Sequence, residues 1–330
     1  MEGTFPLPRS LSSLLRAVDV HRVVQQHLCC SAASARGFCA NVALVLSGGR
    51  HAYLVDCSGA PPRGLAAGAG AVAAWARGAG THASPLALLL LAGAAFVVHA
   101  ERLGASLSAL CGGGALPLPV FCGAELAAPR CAVDEEEALW WAARLRAEMA
   151  VVAAALRGDG GGAGEEATAG RGGDGSETCG PFERGNAGGD ALRIVDTGGG
   201  IGGVCLAGVL LGYPVVYEPS SGSGSGAASG ACERETSRCD ADADASLRGN
   251  CLGGIPLRVW QLRAAWRGSA AVTVGFSVPT GLCARADVDA AVSAWECAAV
   301  VLAEELQRNG GGEVTAEVVR EERLLEQVAL

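Results

Sequence analysis

Two low-complexity stretches set the architecture of this chain. Residues 158–190 are dominated by Gly, Ala, Glu and Asp. Residues 219–249 carry Ser-Gly repeats and then an acidic run, Asp240-Ala241-Asp242-Ala243-Asp244. Neither buries enough apolar surface to offset the entropy of fixing its backbone. Both are expected to be disordered inserts, the second resembling a flexible linker. Any core must come from the patterned segments around them. The expectation is a mixed α/β sheet flanked by helices, one domain over residues 7–330 interrupted twice, with α+β as the alternative.

The patterned segments divide into helices and strands. Leu11, Leu14, Leu15 and Val18 share one face of a helix over 10–28. Val42–Leu46 and His51–Cys57 read as strands joined by a hairpin turn at Ser47-Gly48-Gly49-Arg50. A Pro/Gly loop at 58–64 and an alanine-rich helix over 71–77 follow. Leu86–Leu91 and Ala95–His99 read as buried strands around Gly93, with one continuous helix as the alternative. Leu116–Phe121 adds a strand. Asp134 and Glu137 resemble a capping box, opening a helix whose stripe is Trp141, Leu145, Met149, Val152 and Leu156. Ala191–Pro219 reads as strand, glycine-rich turn, helix and strand. Strands at 256–261 and 270–278 precede a helix over 287–308, with apolar face Val288, Val292, Trp295, Ala299, Leu302 and Leu306. Residues 314–330 add a short strand or helix.

Composition removes several function classes. All 25 basic residues are arginine. A Walker-type phosphate loop, a protein-kinase strand lysine and Schiff-base chemistry each require a lysine this chain does not supply. The net charge is −9 and arginines are scattered singly, so no nucleic-acid partner is expected. The most apolar run, Pro85–Val98, is too short to span a bilayer as a helix, so no membrane is expected. No secretory signal is evident at the N-terminus, and the expected location is cytoplasmic, with the nucleus as alternative. The 14 cysteines contain no Cys-x-x-Cys pair. They read as free thiols packed as small hydrophobes, and no metal site is expected.

One stretch suggests a ligand. In Arg193-Ile194-Val195-Asp196-Thr197-Gly198-Gly199-Gly200-Ile201-Gly202, a strand ends in an acid, glycines recur at every second position, and a helix opens. A second strand ends at Glu218, about 20 residues on, where a ribose-binding acid would stand. This looks like the first motif of S-adenosylmethionine-dependent methyltransferases. Asp196, Gly198, Gly200, Gly202 and Glu218 are therefore the candidate cofactor-binding residues, for S-adenosylmethionine or a nucleotide. The competing reading is a plain glycine-rich turn in a chain holding 49 glycines. Asp240–Asp244 imitates the start of an EF-hand loop, but Ala245 replaces its glycine and Cys251 its final glutamate. Asp56 and Cys57 at a strand end, with His51, His82 or His99 as base, form a further candidate that no spacing brings together. Gly275-Phe276-Ser277-Val278-Pro279 misses the last glycine of a nucleophile elbow. Trp260, Trp266 and Trp295 lie in patterned segments and read as core.

Four stretches carry a resemblance. They are Leu7-Pro8-Arg9-Ser10-Leu11, Leu211-Gly212-Tyr213-Pro214-Val215-Val216-Tyr217, Pro256-Leu257-Arg258-Val259, and Phe276-Ser277-Val278-Pro279 with Trp295-Glu296. In this order they resemble a eukaryotic protein family of unknown function. The resemblance implies one domain beginning near residue 7 and brings no catalytic residue with it. The expectation is a binding or scaffold domain without a catalytic motif, the alternative being a methyltransferase-like transferase.

Overall fold

The computed structural model describes residues 17–55, 60–78, 86–91, 94–112, 120–123, 130–131, 135–157, 191–194, 203–219, 255–266, 269–309 and 314–324. The inserts expected at 158–190 and 219–249 lie outside these, apart from Pro219. So do Asp134, Asp56, Cys57 and His82.

The fold is mixed α/β. Helix α1 (Val18–Leu28) buries Val20, Val24 and Leu28 at four-residue intervals, and Cys29 ends it in a left-handed conformation at φ 50°. Ser31 then caps α2 (Ala32–Ser47), its Oγ accepting from the Ser34 N–H at 3.1 Å. This helix overturns the strand expected at Val42–Leu46. Residues 42–46 are all buried, so the run shows no polar side from which a period could be read. The expected hairpin turn is the helix stop: Gly48 adopts φ 79° and donates its N–H to the Val45 carbonyl.

Strand β1 (Ala52–Leu54) precedes α3 (Pro62–Gly78), which begins earlier than expected because proline is well placed in a first helical turn. Strands β2 (Leu86–Leu91) and β3 (Ala94–His99) are the strands expected around Gly93, and they pair antiparallel. Their side chains alternate between two cores. Leu86, Leu88 and Val97 face one hydrophobic cluster, while Ala87, Leu89, Leu91, Phe96 and Val98 face a second. Helices cover both faces, which is why the run is apolar at every position.

Helix α4 (Ala100–Cys111) starts directly at the end of β3. Strands β4 (Val120–Gly123) and β5 (Arg130–Cys131) precede α5 (Glu135–Arg157), whose Leu145, Met149, Val152 and Leu156 are buried as the stripe requires. Then come β6 (Ala191–Ile194), α6 (Gly203–Leu210) and β7 (Val216–Pro219). A long hairpin follows, β8 (Pro256–Trp266) and β9 (Ser269–Pro279), with a 3₁₀ turn at Thr280–Leu282. Helix α7 (Ala286–Asn309) and strand β10 (Val314–Leu324) complete the described chain.

The strands form three sheets, ordered β1-β3-β2-β6, β10-β8-β9 and β5-β4-β7. The first is mixed, since β6 runs parallel to β2 and the other pairs are antiparallel. One cluster joins Phe38 and Leu44 of α2 to Leu262 of β8, Ala299 and Leu306 of α7 and Val314 of β10. Apolar faces from both ends of the chain thus share an interior. Among the described residues, no single helix is long and apolar enough to cross a membrane.

Candidate functional site

The glycine-rich candidate is seen only at its edges. Asp196, Gly198, Gly200 and Gly202 lie outside the described residues. The element order around them is as expected, with β6 before, α6 after, and β7 carrying Glu218. Their placement differs from a dinucleotide fold. Strand β6 pairs with β2 (Ile194 beside Leu90), and β7 pairs with β4 (Glu218 beside Cys122), in a different sheet. A ribose-binding acid reaches its ligand because its strand neighbours the one carrying the glycine turn. Among the described residues, the two strands are not neighbours.

The Leu211–Tyr217 stretch behind the resemblance stops a helix. Gly212, at φ 74°, donates to the Val209 carbonyl at 3.0 Å, and Tyr213 donates to the Gly208 carbonyl at 2.9 Å. This pair of hydrogen bonds is the Schellman arrangement. Val215 and Val216 are then buried, and the Tyr213 ring lies 6.2 Å from Phe276, joining the second cluster to a third around Trp260 and Phe276.

The structure does bring histidines together. His51 precedes β1 and His99 ends β3, opposite each other at the end of the antiparallel ladder, with the His99 N–H donating to the His51 carbonyl at 3.2 Å. The His99 ring caps α4, its Nδ1 accepting the Arg102 N–H at 3.3 Å. One turn on, the Ser106 hydroxyl lies 3.4 Å from His51 Nδ1. The Arg102 guanidinium packs on Gly48, where it occupies the space a Cβ would fill. Arg50 flanks the group, bonding Asn41 Oδ1 at 2.7 Å and lying over the Tyr53 ring. Burial, and then the Arg102 charge, push both histidines down, His99 to about 4, so both rings are neutral near pH 7. His51, Arg102 and Ser106 are partly exposed, while His99 is 1% exposed. Asp56 and Cys57 follow β1 at its other end, outside the described residues.

A second polar group lines a pocket of about 50 Å³ between β8, β10 and α7. Such a volume holds water rather than a drug-sized ligand. Glu296 accepts from the Trp260 indole N–H at 2.7 Å and from Arg320 at 2.6 and 2.8 Å. Trp260 stacks on Phe276 at 5.3 Å, and Phe276 meets Trp295 edge-on at 4.9 Å. Arg258 pairs with Glu322 at 2.6 Å. Trp260 is thus a core residue, as expected, and Trp295 packs partly buried against that core. Burial pushes the neighbouring Cys283 thiol up, so it is a poor nucleophile. This network closes on itself and holds α7 against the sheet.

Arg102, Ser106 and Glu296 were not singled out as site residues. Ser106 and Glu296 meet partners distant in sequence, 55 residues away for Ser106 and His51, and the Arg102 guanidinium packs on Gly48; no local pattern encodes these contacts. Among the described residues, no three His, Cys, Asp or Glu side chains converge as a metal site. No protein-family model, curated protein or solved structure matches the chain significantly. The resemblance to the eukaryotic family rests on its quoted motifs alone.

Proposed function

We propose that this chain is a non-catalytic α/β binding or scaffold domain whose accessible polar site is the His51, Arg102 and Ser106 group above His99. The observation that carries the choice is sheet topology: β6 and β7 belong to different sheets, which weighs against a dinucleotide-type cofactor cleft between them. The placement of polar side chains supports the same reading. His99 serves as a helix cap, and Glu296 is held on both oxygens. The charge of −9 favours partners other than nucleic acid.

The order β6, glycine run, α6, β7 favours a second reading. In it, a transferase holds S-adenosylmethionine or a nucleotide at Asp196, Gly198, Gly200 and Gly202, with Glu218 on the ribose. Thermal unfolding with each of S-adenosylmethionine and NAD separates the two. A ligand at 100 times its dissociation constant stabilises by about 2.7 kcal/mol. The binding-domain reading expects no shift with either. A saturable shift with S-adenosylmethionine, abolished by Gly200→Asp, would replace it with the transferase.

A further inference from the structure

The buried donor on His99 points beyond a generic binding surface. Because Nδ1 accepts the Arg102 N–H, the neutral ring carries its proton on Nε2. That Nε2–H is buried and has no acceptor among the described residues. Orphaned buried donors are rare and call for a water or a ligand oxygen. The surroundings favour an anion. Among the described residues, the titratable groups acting on the ring are Arg102, Glu101 and His51, and of these only Glu101, which is exposed, is acidic. The N-terminus of α4, a helix of 12 residues, adds its positive dipole end. The Ser106 hydroxyl and the His51 ring, 3.4 Å apart, are both partly exposed. This concentration of donors and positive charge stands in a chain of net charge −9.

We propose that this cluster binds the phosphate group of a small ligand. The Arg102 guanidinium, the Ser106 hydroxyl and the His51 ring reach its oxygens from the exposed side, and the His99 Nε2–H donates from the floor. A phosphate offers several acceptor oxygens to donors arriving from different elements, and its charge matches both the guanidinium and the helix end. The proposal rests on reading the chain as a binding domain and names the ligand class of that site.

The test is a titration of the full-length chain, isotopically labelled at its histidine ring nitrogens, with inorganic phosphate. Ring resonances are assigned with His→Gln variants. The expected result is a saturable shift of the His51 and His99 rings. Ser106→Ala and Arg102→Gln should each weaken it by about 10-fold or more, as loss of a charge-assisted hydrogen bond implies. Ser293→Ala, in the small pocket between β8, β10 and α7, should leave it unchanged. No saturable shift at either ring, or unaltered affinity in Ser106→Ala, overturns the proposal. Should Arg102→Gln not fold, Ser106→Ala decides alone. Hydrolysis of a phenyl phosphate ester by the chain would overturn the non-catalytic reading while keeping the phosphate site. Failure to bind phosphate, with no shift from S-adenosylmethionine or NAD, removes the phosphate site and leaves the binding-domain reading standing.

Discussion

Replacing Gly212 by alanine isolates the cost of one backbone angle. Gly212 sits at φ 74°, and a Cβ added there meets nothing within 4 Å. No clash, hydrogen-bond loss or cavity accompanies the substitution. The left-handed conformation costs a residue with a Cβ about 1–2 kcal/mol. Against that, alanine restricts the unfolded chain, which returns about 0.4–1 kcal/mol. The net expectation for Gly212→Ala is a loss of about 1 kcal/mol, or about 3 °C in Tm for a domain of this size. Gly212→Asn should lose less, because asparagine tolerates this region. Gly208→Ala, four residues earlier, tests a different term: its Cβ would lie 3.0 Å from Val216 Cγ1, so packing and not backbone angle decides the outcome. Urea unfolding followed by tryptophan fluorescence gives all three values. If Gly212→Ala is as stable as the parent, or Gly212→Asn is worse than Gly212→Ala, the Schellman stop is not what this stretch provides.

Other predictions follow from the same geometry. His99 is pushed below its ordinary 6.5 to about 4, so between these values the unfolded chain binds more protons than the folded one. Its contribution to stability is present above pH 6.5 and is lost as pH falls toward 4, and the His51 shift has the same sign. The pH dependence of unfolding should therefore be shallower in His99→Gln across that window; parallel curves would show the ring to be solvated. Glu296→Ala leaves the Trp260 indole N–H without its acceptor and should cost about 1–3 kcal/mol in urea unfolding, whereas Glu296→Gln keeps an acceptor and should cost less. Among the described cysteines, Cys29 and Cys297 are exposed and should react with a maleimide in the native protein. Cys39, buried and pushed up to about 12, and buried Cys205 should react only on unfolding, read by peptide mass mapping.

How much was legible in the sequence depended on whether a segment has a wet side. Helix α5, with Leu145, Met149, Val152 and Leu156, and helix α7, with Val288, Val292, Ala299 and Leu306, each show a polar face to solvent, so their period could be read directly. The β2–β3 pair reads as strands around Gly93 with one continuous helix as the alternative, because a run apolar at every position carries no period; the strand pairing decides it. Residues 42–46 were misread because they are buried all round and rich in valine, which suits either a helix core or a strand. The capping geometry at Ser31 and Gly48 settles that segment as helix. Gly48 was noticed as a turn glycine, and its conformation is indeed left-handed; the turn terminates a helix rather than joining two strands.

Composition and local pattern determined the fold class, the absence of lysine chemistry and the outline of most helices, because these depend on side chains near one another in the chain. Tertiary structure alone decided which strands are neighbours. It separated β6 from β7, and it set His51 beside His99 and beside Ser106, the latter across a gap of 55 residues. Sheet pairing and burial are properties of contacts between distant segments, and short-range sequence patterns carry no direct record of them.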